Sequence, residues 1–406
     1  MDLSKLDIPE HVPAELVADF DPWEYIAEAR GDAFKRAAGL HDKMPEIFFA
    51  PKIGYLPGCW VPSTNELLRR IVMDPATFSS REGTPFAAML GESWKLIPLE
   101  IDPPDHAKYR LLLNKLFNQK AISAMEPDMR RTAKSLIDEV KDQGSCDFNA
   151  DFSSRFPTLI FLRMMGWPEE HVSKFVGWVN TLIKSQDMQV VYGAVVEIAS
   201  YLRSVIEARR AQPIDDVTSY VLSCEIDGRP LSDDEVMGIC FLIFIGGLDT
   251  VTSSLNFHYY HLANNPDIQA ALRIDPSLIP NAVEELLRAH GVSNMRRTVT
   301  RDVTVGGVQM KEGDFVLIST ELANLDSAAF KCPMEVDITR ADARKHLSFS
   351  TGPHLCIGAT LARRELGIAL EAWLSSVPEF RVANESEIVV RGGGVFGLEN
   401  MRIAWD

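Results

Sequence analysis

The chain has 406 residues, 46% of them hydrophobic and 24% charged, which is the balance of an ordinary soluble globular protein. A formal net charge of −16 makes nucleic acid a poor partner and an anionic membrane surface no better. Six cysteines (Cys59, Cys146, Cys224, Cys240, Cys332 and Cys356) form no Cys-x-x-Cys pair, which argues against a zinc site and against a disulfide framework.

The N-terminal stretch Met1 to Glu10 lacks a basic start followed by an apolar run, so neither a signal peptide nor a membrane anchor is expected. The longest apolar run, Ile239 to Leu248, is too short to cross a bilayer, and a cytoplasmic location follows as the expectation. A hairpin is predicted over Ile53–Val61, turning at Pro57-Gly58. Next, Asp102-Pro103-Pro104 pre-sets a helix start. His106 and Arg110 then stand four apart on one helix face, a pair of bases suited to a carboxylate.

From Ala121 to about Tyr220, apolar spacings of three and four predict a series of amphipathic helices, with Met164, Met165 and Trp178 in the core. Ser232-Asp233-Asp234-Glu235 is a capping box opening a helix that meets no proline until Pro266. Such a helix is on the order of 50 Å long, and its first half is apolar nearly all round, which means burial. Its middle reads Gly246-Gly247-Leu248-Asp249-Thr250-Val251. Each glycine costs about 1 kcal/mol against alanine, and a buried carboxylate costs more unless paired. A segment that breaks local rules inside a well-made helix is expected to be functional. A packing notch, with the threonine bonding back to a carbonyl, is the bland alternative.

Glu285 and Arg288 share a helix face, and Met295-Arg296-Arg297-Thr298-Val299 leads into a predicted hairpin. Its strands are Val303–Val305 and Val308–Met310 around Gly306-Gly307, followed by Phe315–Ile318. Finally, Phe349-Ser350-Thr351-Gly352-Pro353-His354-Leu355-Cys356-Ile357-Gly358 runs into a helical pattern from Ala359. Glycine and proline let the backbone turn tightly and approach a large flat group. The helix start would aim free N–H groups and a positive dipole end at the Cys356 sulfur, a setting expected to favour thiolate. Basic residues bunch at Arg69-Arg70, at Lys108, Arg110, Lys115 and Lys120, and at Arg344-Lys345. Brought to the cysteine side they would form a positive patch suited to an acidic electron donor; otherwise they are solvated helix faces.

The pattern Phe-x-x-Gly-x-His-x-Cys-x-Gly resembles the haem-binding loop of the cytochromes P-450, the haem-thiolate monooxygenases. The resemblance covers essentially the whole chain and is closest to the soluble bacterial camphor-hydroxylase branch, through Gly246-Gly-Leu-Asp-Thr-Val, His354-Leu-Cys-Ile-Gly, Leu361-Ala-Arg-Arg-Glu and Cys332-Pro-Met-Glu-Val-Asp. It implies a mainly α (α+β) fold: one domain over residues 1–406, with a large helical part, a smaller β-rich region mainly at 50–80, 295–320 and 380–406, and the long central helix over haem b.

By the same resemblance Cys356 is the axial iron ligand, and a thiolate there favours O–O cleavage. His106, Arg110, Arg297 and His354 hold the haem propionates, with Arg296 as the alternative to Arg297. Asp249 relays protons and Thr250 orders water and hydrogen-bonds dioxygen, while the glycines let the helix open. Glu285, Arg288 and Arg340 form a structural triad supporting the cysteine loop.

The implied pocket contains Trp94, Leu242, Gly246, Val292, Ser293, Met295 and Val395, with extra room beside Gly394. Camphor-oxidising members carry a tyrosine where Trp94 stands; an indole is larger and its N–H points differently, so camphor itself is not expected. The apolar lining suits a terpenoid or norisoprenoid. The resemblance further implies a monomer receiving electrons from a [2Fe-2S] ferredoxin and a flavoprotein reductase. Its rivals are a peroxide-driven member of the superfamily, which would usually lack the acid-alcohol pair, and a non-enzymatic haem-thiolate sensor or carrier.

Overall fold

Ser232 Oγ accepts the Glu235 N–H at 3.2 Å while the Glu235 carboxylate accepts the Ser232 N–H at 2.6 Å. This reciprocal cap opens the central helix, Asp233–Ala263, whose 31 residues span about 47 Å at 1.5 Å per residue. Tyr109 and Arg229 also donate to Glu235, and the Arg229 guanidinium does most to pull its carboxyl down to about 2. The protein is described from a computed structural model covering residues 6, 8–54, 56–81, 84–185 and 187–406, without the side chains of 183 and 184. Met1–Lys5 and Asp7 of the N-terminal stretch, and Tyr55 of the predicted hairpin, lie outside the described residues.

Most of the chain packs as helices around this axis. Gln119–Val140, Arg155–Met164, Val172–Lys184, Met188–Ala211 and Val217–Leu222 fill the stretch read as amphipathic helices. On one side of the central helix Phe148, Phe152 and Tyr259 pack around Trp373 of the helix that follows the cysteine, Ala359–Ser376. On the other side Trp94, Phe161, Phe241, Phe244 and Trp178 form a second core with Met188–Ala211 laid across it. Among the described residues the central helix alone is apolar and long enough to cross a bilayer, and 67% of that window is buried inside the protein.

Five strands form the main sheet in the order Ile47–Ile53, Leu56–Pro62, Phe315–Ser319, Asn294–Val299, Phe78–Ser79. The first hairpin departs from the sequence expectation. Its turn falls at Gly54, where φ is +56°, and Pro57 lies inside the second strand opposite Lys52. Gly58 is there for close packing: a Cβ would lie 2.8 Å from the Phe49 ring. The C-terminal strand Arg402–Trp405 pairs with Phe380–Val382 and also with Ser145–Asp147, a strand the sequence does not announce.

Candidate functional site

The cysteine loop is built by its backbone. Phe349 C=O accepts the Cys356 N–H at 2.9 Å, and Gly352 C=O accepts the Leu355 N–H at 3.1 Å. Gly352 has φ +71°, and a Cβ there would lie 2.7 Å from Met73 Sδ, so the loop can sit against the Asn65–Val72 helix only without a side chain. Cys356 keeps accessible surface, although burial dominates the chemistry of its thiol.

Burial pushes the thiol up from its ordinary value, against the N–H groups of Gly358 and Ala359 and the charges of Arg110 and Arg363, which pull it down. The expectation of a free thiolate is therefore corrected. Desolvation outweighs the helix end, and a bound metal would supply the deprotonation.

Three basic side chains, His106, Arg110 and Arg297, gather around His354, two residues from that sulfur. The His106 and His354 rings lie 4.4 Å apart between centroids. Burial drives His354 down to about 3, followed by the charges of Arg297, His106 and Arg110. Burial also lowers Arg297 to about 10, and Arg110 feels Cys356 directly. The nearby acid, Asp102, is already engaged by Ser79 Oγ at 2.6 Å, the Ser80 N–H at 2.9 Å and Arg81 at 3.3 Å.

Among the described residues His106 Nε2 and Arg297 Nη2 are buried without a hydrogen-bond partner. Unspent buried donors of this kind fit an anionic group carrying two carboxylates, such as haem b. Arg296 points elsewhere, with its guanidinium 4.1 Å from the Phe315 ring centroid.

The central helix stays helical through Gly246-Gly247 rather than opening there. What the glycines supply is room: a Cβ on Gly246 would meet nothing within 4 Å, while one on Gly247 would lie 3.3 Å from Phe161. Thr250 Oγ1 makes only a long 3.4 Å bond to Gly246 C=O, whereas Thr252 Oγ1 reaches Leu248 C=O at 2.8 Å. Asp249 is buried on a different face. With Thr252, Ser253 and Asn256 it lines a cleft of about 400 Å³ walled by the Arg391–Glu399 ion pair (3.1 Å).

The seven expected pocket residues fall in three places. Gly246 is on the central helix. Trp94 and Leu242 belong to the core under Met188–Ala211, where the Trp94 ring packs 4.9 Å from Phe241 and its N–H donates to Glu92 at 2.6 Å. Ser293 bridges to Val395, Val292 C=O accepts from Phe396, and Met295 follows on the strand; Val395 also borders the 400 Å³ cleft.

Behind the loop, Glu285 and Arg288 are fully buried and paired at 2.8 Å, and Arg340 joins Glu285 at 3.0 Å. The neighbouring Glu284 escapes sequence reasoning. It is buried and takes Arg363 (2.7 Å), His346 (3.1 Å) and Arg344 (3.3 Å), and with those partners its carboxyl sits at about 2 despite burial. Its signal is only one more acid beside Glu285. Arg69, Arg344, Lys345, Leu355 and Arg363 line an outward cleft of about 620 Å³. Lys108 does not join this patch, being paired with Asp105 and Asp227.

Comparison with known proteins now adds to this geometry. The cytochrome P450 family model matches residues 168–275 and 277–387. A probable cytochrome P450 127A1 of Sinorhizobium fredii is 38% identical over 98% of this chain and 97% of its own. A steroid C26-monooxygenase of Mycobacterium tuberculosis is 35% identical over 76% of this chain and 85% of its own. The crystal structure of cytochrome P450 CYP101C1 superposes with a TM-score of 0.88 at 32% identity, covering 98% of this chain and all of that one. With two buried donors left unspent near the cysteine loop and this likeness over nearly its full length, the chain belongs to the cytochrome P450 family of haem b monooxygenases.

Proposed function

We propose that Cys356 is the axial thiolate of the haem and that the enzyme hydroxylates a small apolar substrate of the terpenoid or norisoprenoid class. The observation that carries the reading is the pair of unspent donors on His106 and Arg297 near the cysteine loop. Bound haem b supplies the activation of dioxygen. The protein's own residues do the rest. His106, Arg110, Arg297 and His354 neutralise the two propionates, while the Arg296 guanidinium packs on the Phe315 ring. Gly246 leaves space on the central helix, Thr250 offers a hydroxyl held only weakly by the helix, and Asp249 exchanges protons between that hydroxyl and the outer cleft.

The apolar side chains expected at the pocket, Leu242, Val292, Met295 and Val395, support a hydrocarbon skeleton with few polar anchors. Electrons come from a [2Fe-2S] ferredoxin reduced by a flavoprotein. The basic rim of Arg69, Arg344 and Lys345 around exposed Leu355 supports an acidic donor on this otherwise acidic chain. The protein works as a cytoplasmic monomer.

The test is optical. The reduced, CO-bound protein is expected to show the shifted Soret band of thiolate ligation, and Cys356→His to lose it while still holding haem. A band that survives the substitution overturns the assignment. A screen of terpenoid ketones and hydrocarbons for displacement of the iron's water identifies the substrate class, and turnover with peroxide alone at the ferredoxin-driven rate would favour a peroxygenase.

A further inference from the structure

The Trp94 indole is seated from three directions. A Cβ on Gly238 would lie 1.9 Å from the Lys95 carbonyl oxygen, so the backbone beside Trp94 lies in a notch of the central helix. Three residues on, Phe241 packs against the ring. The N–H is taken by Glu92 at 2.6 Å, so the ring presents no free donor to a ligand. Glu92 also accepts from Arg203 on the Met188–Ala211 helix. Among the described residues this is the one polar contact between that helix and the segment 84–100, whose other carboxylate, Glu100, is occupied by Thr84 and the Leu96 N–H.

The helix covers the apolar core with Val191, Ala194, Val195, Ile198 and Leu202 facing inward. Arg203 and Glu92 are 45% and 34% exposed, so their pairing is open to water and salt and can break without unfolding anything.

We propose that Glu92 is a positioning residue that makes two events one: closure of the Met188–Ala211 helix over the pocket, and seating of the Trp94 ring against Phe241. The proposal rests on reading the space beside Cys356 as the haem pocket. When Arg203 leaves, Glu92 is freed to turn toward solvent, the indole loses its acceptor, and the apolar wall loosens together with the cover. A carboxylate serving both partners makes the coupling direct, because neither bond holds its geometry without the other.

The experiment is stopped-flow binding of 4-phenylimidazole, a haem-iron ligand, to the haem-loaded enzyme. Arg203→Gln and Glu92→Gln are each expected to raise both the entry and the exit rate roughly three- to fivefold, the range open to an exposed ion pair. The double variant is expected to go no further than either single one, and Arg203→Lys to restore most of the effect. Raising salt from about 0.05 to about 0.5 M should speed wild-type exit and leave Arg203→Gln unchanged. Wild-type rates in Arg203→Gln, or additive effects in the double variant, would overturn the proposal. The shifted Soret band of the CO complex, kept in every variant, shows that such a failure is not a failure of the haem site. Its absence from the wild type would bring down the haem reading and this proposal with it.

Discussion

At position 356 a free thiol stays protonated near neutral pH, because removal from water outweighs two N–H groups and two guanidinium charges. The same competition explains why the residue-level site was only partly legible. The sequence announces which residue types stand together, but not which donors remain unspent. Arg296 and Arg297 are equivalent as letters, and only the Phe315 ring, reached across the paired strands, separates them. The N–H bond of Trp94 to Glu92 was not legible, because an indole donor two residues from a carboxylate leaves no pattern. Thr250, by contrast, stands out in sequence as a hydroxyl in a buried helix. Replacing it with alanine should leave electron consumption near the wild-type rate while product formed per electron falls severalfold, as measured by matching cofactor oxidation to product. Asp249→Asn should slow turnover itself, by roughly 10²-fold, the lower end of what a positioned proton donor contributes.

Among the elements, the central helix was the most legible. Ser232 and Glu235 mark its start and apolar residues fill its first half; the structure ends it at Ala263, three residues before Pro266. What the sequence hides is the use of Gly238, which looks like one more small residue in an apolar run. Gly238→Ala would force a methyl against the Lys95 carbonyl, a backbone atom that cannot swing away. The substitution should cost about 1–3 kcal/mol, read as a lower urea midpoint, even though alanine is the better helix former. The first hairpin misleads in the opposite direction. Pro57-Gly58 has the composition of a turn, yet the proline sits in a strand and the glycine makes room for Phe49. Local preference loses there to packing across the pair.

Across the whole molecule, a cluster of three histidines contributes to the response to acid. His258, His261 and His290 gather with rings 5.1 and 6.2 Å from His290. Burial lowers His258 to about 3 and His261 to about 4, and takes His290 well below its ordinary value; Glu285 opposes this at His261 and Arg288 adds to it at His290. The folded protein keeps them neutral where the unfolded chain, with ordinary histidines near 6.5, takes up protons. Their stability is complete above about pH 6.5 and is lost as the pH falls toward 4, by up to about 1.4 kcal/mol per unit for each. Glu321, raised to about 7 by burial, acts in the other sense, losing stability as pH rises from 4.5 toward 7. Urea midpoints at pH 7 and pH 5 should therefore differ less in His258→Leu than in the wild type.

The proton role proposed for Asp249 has, finally, a consequence for turnover in heavy water. Asp249 lines a groove with Thr252, Ser253 and Asn256, while a Cβ on Gly246 would meet open space. On the proton role proposed for Asp249, hydrogen from the bulk medium would enter by way of that groove. Turnover in heavy water should slow in the wild type in proportion to how far that crossing limits the cycle. In Asp249→Asn the crossing should dominate and the deuterium effect grow. An unchanged effect would mean that hydrogen reaches the haem by another route.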